Sequence, residues 1–203
     1  MFSKAIVKRP CKNMVNGITE AGMGLPDYQK ALNQHDDYIK ALENCGLEVF
    51  ILEPDQTFPD SVFIEDTCLI TRACTVITRP GADSRRGEIR SVEQAVRSLD
   101  LPLESIKAPG TLDAGDIMMV GDHYYVGLSN RTNETGVAQL GKILKKYGMT
   151  VSAIPLSTVL HLKTGLSYLE HNNLLAYGEF LDRPEFRDHN ILAVNEKEAY
   201  AAN

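Results

Sequence analysis

The chain lacks the features that would assign it to several large classes. Its four cysteines, at positions 11, 45, 68 and 74, form no CxxC pair and no zinc-like spacing, so neither a disulfide framework nor a structural zinc site is expected. Apolar runs such as Val49–Leu52 fall far short of the roughly 20 residues that a membrane helix requires. The opening MFSKAIVKRP has no apolar stretch of signal-peptide length. Bases number 21 against 27 acids, a net charge of −6, which argues against nucleic acid as the main partner. There is no Walker-type phosphate loop, no GxGxxG fingerprint and no HExxH site. Neither a linker, a low-complexity tract nor a charge run divides the chain. These absences predict a soluble cytoplasmic protein that engages neither nucleic acid nor membrane.

What is present is an ordinary globular balance: 203 residues, 43% hydrophobic and 24% charged, enough for one domain with a sizeable core. A strand over Ala5–Lys8 is followed by a helix in which Tyr28, Ala31, Leu32, Ile39 and Leu42 recur at helical spacing, with Gly46 placed as a C-cap. Leu47–Leu52 reads as a buried strand. The chain then repeats a pattern. Cys68–Ile70 and Thr75–Thr78 make a hairpin, followed by a loop with Arg85 and a helix carrying Ile89, Val92, Val96 and Leu99. Ile117–Val120 and Tyr124–Val126 make a second hairpin, followed by Arg131 and a helix carrying Val137, Leu140, Leu144 and Tyr147. A fainter third copy runs through Leu166–Leu169 and Leu174–Ala176 to a loop with Arg183. A period of roughly 50 residues predicts an array of α/β repeats and not one open sheet.

Three polar clusters sit at the ends of these expected strands. PDSVFIED supplies Asp60, Glu65 and Asp66 around an apolar triplet; such acids are either solvated loop residues or a pocket for a cation. LDAGDIMMV supplies Asp113 and Asp116, which a glycine turn also explains. VLHLKTG places His161 between Leu160 and Leu162, and strand alternation would put the leucines on one face and the imidazole on the other. It is the one histidine of five flanked by apolar neighbours, a setting suited to acid–base work as well as to a structural role. Arg85 and Arg131 occupy matching places after successive hairpins, where they are either exposed helix-start residues or bidentate ligands for a carboxylate. Acids for a guanidinium, arginines for a carboxylate and a histidine for protons together describe a site for a small amino-acid-like cation.

FPDSVFIED, ITRPGADSRRGE, LDAGDIMMVGDHYYVGLSNRTN and LHLKTGLSYLEHNN resemble, in order and across essentially the whole chain, the N(G),N(G)-dimethylarginine dimethylaminohydrolases, particularly bacterial ones. The resemblance implies a pentein fold, an α/β propeller with pseudo-five-fold ββαβ repeats. It implies hydrolysis of methylated arginine to citrulline and an alkylamine through a covalent cysteine intermediate, with no metal or organic cofactor. By position, His161 resembles the general acid/base and Asp113 the carboxylate that orients it. Asp66, Glu65 and Asp60 resemble the acidic substrate group, Arg85 and Arg131 the contacts to the amino-acid end. Ile18 resembles a residue of a lid loop containing Gly17, Gly22 and Gly24. The resemblance leaves room for a homodimer.

The four cysteines match none of the family's nucleophile context, and relatives carry that cysteine beyond the point where EAYAAN ends here. On that reading residues 1–203 form a single pentein-type catalytic domain whose C-terminal repeat is missing, leaving a propeller open at exposed strand edges. Two alternatives stand beside the methylarginine hydrolase: an arginine deiminase acting on unmethylated arginine, and a methylarginine-binding module without chemistry.

Overall fold

Alternating side chains in KAIVK and EVFIL produce the first two strands, β1 (Lys4–Lys8) and β2 (Glu48–Leu52), which pair in parallel with Lys4 opposite Glu48. They belong to the computed structural model of the chain, which describes residues 2–19 and 22–203. A parallel pair needs a crossover, and α1 (Tyr28–Asn44) supplies it. The Asp27 side chain caps α1 by accepting the Lys30 N–H, and the helix stops where Gly46 takes a left-handed φ of +84°. β2 is less buried than expected: Phe50 and Ile51 are 42% and 43% exposed. The reason is width, since β2 has only β1 as a strand partner and a two-stranded sheet cannot cover both its faces.

These elements, with α2 (Ile89–Val96) apart from its last residue, form one unit, Met1–Ile64 with Asp83–Ala95. Within it, buried Lys8 donates from Nζ to Ser91 on α2 at 2.8 Å.

The second unit comprises Glu65–Ala82 and Val96–Asn203. It contains three sheets of one pattern, each an antiparallel hairpin whose second strand also pairs in parallel with a later strand. β3 (Cys68–Ile70), β4 (Thr75–Ile77) and β5 (Leu103–Ser105) form the first sheet, and β6 (Ile117–Val120), β7 (His123–Leu128) and β8 (Thr150–Pro155) the second. The sequence repeat is thus a structural repeat. α3 (Glu134–Lys145) makes the crossover of the second sheet. Asn133 caps it through the Gly136 N–H at 2.8 Å, and Val137, Leu140 and Leu144 are buried along one face. The third sheet, β9 (Leu166–Tyr168), β10 (Asn173–Ala176) and β11 (Asn190–Ala193), has short 3-10 turns at Gly178–Phe180 and Pro184–Phe186 in place of a crossover helix.

β6 links the two cores of this unit. Ile117 enters a cluster with Val76, Leu112, Tyr124, Val126 and Leu140, while Met118 enters another with Ile154, Leu162, Leu166, Leu174 and Phe180. Neighbouring residues of a strand point to opposite faces, so one strand feeds both clusters. Among the described residues no helix is long and apolar enough to cross a membrane.

His161 does not lie in a strand. It is the N-cap of a short helix, α4 (Leu162–Gly165), and its carbonyl accepts the Thr164 N–H at 3.0 Å. Leu162 is fully buried and Leu160 is 56% exposed, so the two leucines share no face. The alternation is broken because the Leu162 N–H is captured by a buried carboxylate and not by a neighbouring strand.

Candidate active site

That carboxylate is Asp116. A 3-10 turn over Ala114–Asp116, closed by the Asp116 N–H to the Asp113 carbonyl at 3.0 Å, turns both acids inward just before β6. Asp116 is fully buried, and a buried carboxylate must be compensated by donors. Oδ2 accepts the Thr132 and Ser129 hydroxyls at 2.6 and 2.7 Å, and Oδ1 accepts the Leu162 N–H at 3.1 Å. His161 Nδ1 lies 3.3 Å from the same Oδ1. The distance is that of an ion pair, but Nδ1 makes no hydrogen bond, because the ring N–H is not aimed along the contact.

Asp66 and Asp113 also converge on the imidazole. Asp66, Asp113 and His161 each place one donor atom within 4.8 Å of the others, the one such convergence of three among the described residues. Asp66 Oδ1 accepts the Gly115 N–H at 3.0 Å, and Asp113 Oδ1 accepts the Gly81 N–H at 2.8 Å. Donor atoms this close could receive a metal ion or an organic guanidinium, and the residue types alone do not choose. Gly115 is required here: a Cβ would lie 2.6 Å from Asp66 Oδ1 and 3.3 Å from the His161 ring. The His161 pKa is raised. Burial lowers it, but contact with Asp116 and the charges of Asp66 and Asp113 outweigh that effect.

The remaining expected residues reach different surroundings. Glu65 is exposed and ion-paired with Lys163, two residues after His161. Arg131 is half-buried; its N–H donates to Ser129 at 3.0 Å, and its guanidinium makes no hydrogen bond or ion pair among the described residues. In the other unit, Asp60 is 7% exposed and accepts the Ile18 N–H on Oδ1 and Oδ2 at 3.0 and 3.3 Å. Arg85 is buried against Glu88, with Nη2 2.9 Å from Oε2, and it also donates to the Phe63 carbonyl at 3.1 Å. Its guanidinium is therefore held by the protein itself.

The orienting role was expected at Asp113, yet the carboxylate in contact with Nδ1 is that of Asp116. Sequence alone offered a signal for it, an acid directly preceding a fully apolar strand. Glu88 and Lys163, which hold Arg85 and Glu65, gave no comparable signal. Neither cysteine of the second unit, Cys68 or Cys74, has the setting of a nucleophilic thiol. Burial pushes the Cys68 thiol up to about 12 and raises that of Cys74, and Cys11 is buried against the Phe58 carbonyl.

A family model described as N,N dimethylarginine dimethylhydrolase, eukaryotic, matches residues 26–198. The N(G),N(G)-dimethylarginine dimethylaminohydrolase of Pseudomonas aeruginosa is 54% identical over 204 residues, covering all of this chain and 80% of that protein. The chain belongs to the dimethylarginine dimethylaminohydrolase family. The relative of that name in Streptomyces coelicolor is 40% identical over 89% of this chain and 70% of its own length. Among solved structures, a cysteine-to-serine mutant of the Pseudomonas aeruginosa enzyme complexed with citrulline superimposes with a TM-score of 0.99 at 54% identity, covering 100% of this chain and 80% of that one. A histidine-to-glycine dimethylarginine dimethylaminohydrolase, an adduct with S-methyl-L-thiocitrulline, gives 0.98 at the same identity and coverage. The mixed α/β architecture described above is therefore that of the family.

Proposed function

We propose that the chain serves the hydrolysis of N(G),N(G)-dimethyl-L-arginine, and of the monomethyl form, to L-citrulline and dimethylamine or methylamine. The observation that carries this is His161, held at Asp116 and facing Asp66 and Asp113, in a chain of this family. A cysteine thiolate attacks the guanidinium carbon, and none of the four cysteines here is assigned that part. The C–N bond to the alkylamine breaks as imidazolium delivers a proton to the departing nitrogen. His161 then takes a proton from water, which adds to the same carbon, and the C–S bond breaks to release citrulline. A histidine pKa raised by three acids favours the imidazolium form, the form that can hand a proton to the departing amine. The adduct with S-methyl-L-thiocitrulline in a family member is consistent with this covalent route.

In the second unit, Asp66 and Glu65 are assigned to the guanidinium, Arg131 to the α-carboxylate, and Asp113 to the imidazole jointly with Asp116. In the first unit, Asp60, Arg85 and Ile18 are assigned to substrate contact, with Asp60 holding the Ile18 backbone and Glu88 holding Arg85. A homodimer and a cytoplasmic setting remain part of the proposal.

The test is citrulline formation from asymmetric dimethylarginine, with arginine in parallel, by the 203-residue chain and by a version extended with the family's cysteine-bearing segment. Preference for dimethylarginine supports the assignment; preference for arginine makes it a deiminase instead. In the active version, His161→Ala should lower kcat by roughly 100-fold or more while changing substrate affinity little. Near-normal turnover in that variant removes His161 from the mechanism.

A further inference from the structure

The third repeat carries a residue pair that the proposed reaction does not use, Glu179 and Arg183. β8 ends at Pro155, and the chain must reach His161 through Leu156–Leu160 without regular structure. Backbone N–H groups in such a stretch need partners. Leu156 donates to the Leu128 carbonyl at 3.1 Å, and Glu179 takes the next two residues entirely. Its Oε1 accepts the Ser157 and Thr158 N–H groups at 3.0 and 2.7 Å and the Thr158 hydroxyl at 2.9 Å; Oε2 accepts the Ser157 hydroxyl at 3.1 Å. Arg183 pairs with the same carboxylate and donates to the Pro155 carbonyl at 2.6 Å. The backbone N–H groups of Val159, Leu160 and His161 make no hydrogen bond among the described residues. The next anchor is the Leu162 N–H on Asp116.

One carboxylate receiving four donor groups and an arginine is a built feature and not a solvated acid. Its side chain is only 11% exposed. Burial by itself raises the Glu179 pKa, yet the Thr158 and Ser157 N–H groups and Arg183 hold it down at about 2. Val159 and Phe180, the neighbour of Glu179, pack around the same core cluster as Leu162. His161 is thus bracketed, with Asp116 fixing the residue after it and Glu179 fixing the segment before it.

We infer that Glu179 is a positioning residue for His161: its carboxylate anchors the 156–160 loop so that the imidazole is delivered against Asp116. This rests on the proton-handling role proposed for His161, but the placement of the ring can be read without turnover. Releasing the anchor lets the imidazole leave Asp116, Asp66 and Asp113, the charges that raise its pKa.

The experiment is an NMR titration of the imidazoles in the wild-type chain, in Glu179→Gln and in Thr158→Val, with the His161 resonance assigned from His161→Gln. Glu179→Gln replaces one acceptor by a donor aimed at the Ser157 and Thr158 donors. The His161 midpoint is expected to fall toward the ordinary value of about 6.5, with that of His123 unmoved. Glu179→Gln that folds, loses amide protection at Ser157 and Thr158, and keeps the wild-type His161 midpoint overturns the inference, because Glu179 then holds only its own loop. If Glu179→Gln does not fold, Thr158→Val decides: a smaller shift in the same direction supports the anchor, and no shift sinks it. Absence of dimethylarginine turnover in the version extended with the cysteine-bearing segment, with the shift intact, removes the proposed function and leaves the anchor standing.

Discussion

At His161, desolvation and three carboxylates act in opposite senses, and the carboxylates win. A raised folded-state pKa means that the fold favours imidazolium. The resulting stabilisation is complete below the unfolded value of 6.5 and is lost as pH rises through the folded value. The difference in urea midpoint between wild type and His161→Gln should therefore be largest near pH 5.5 and shrink at alkaline pH; a difference that grows with pH contradicts the sign. Gly115 tests the same site sterically. Because an added Cβ would lie 2.6 Å from Asp66 Oδ1, Gly115→Ala must displace that carboxylate. Expected are a loss of about 1–3 kcal/mol in chemical denaturation and weaker dimethylarginine binding in calorimetry. Unaltered binding would detach Asp66 from the substrate.

The elements were mostly legible because each advertises its own periodicity and its own stop. α3 is an example, with Val137, Leu140 and Leu144 on one face, an Asn133 cap, and Gly148 beyond its end at φ +75°. Nothing lies within 4 Å of where a Gly148 Cβ would stand, so the cost of substitution there is purely conformational. Gly148→Ala should lower stability by about 1–2 kcal/mol, read as an urea midpoint shift without loss of the folded baseline. Two readings needed neighbours that local pattern does not carry: the burial of β2 and the conformation at His161. β2 has the composition of a buried strand but only one partner strand, and burial is a property of neighbours that its own five residues do not encode. VLHLKTG alternates like a strand, yet Asp116, 46 positions away from Leu162, takes the backbone N–H that a ladder would have used.

On the scale of the whole chain, the two units differ in what protects them. The second has two apolar clusters, and its central strands β4, β7 and β10 each have neighbours on both sides. The first has one two-stranded sheet with partly exposed apolar side chains. Hydrogen exchange should therefore be slowest in β4 and β7 and faster in β1 and β2. The reverse order, measured by exchange with mass spectrometry, would mean that the first unit carries a core these contacts do not reveal.

By itself the sequence determined the repeat of hairpin, helix and strand, the glycine that ends the first helix, and the residue types of a cation-binding, proton-handling site. These follow from local periodicity, from glycines that take up left-handed backbone at helix ends, and from motifs read in order. Only the tertiary structure decided that Asp116 touches His161, that Arg85 is held by Glu88, that Glu65 pairs with Lys163, and that Glu179 receives the loop leading to the histidine. Compensation of a buried charge depends on which donors folding brings within about 3 Å: the Thr158 N–H that Glu179 accepts lies 21 positions away along the chain, and the Leu162 N–H that Asp116 accepts lies 46 away.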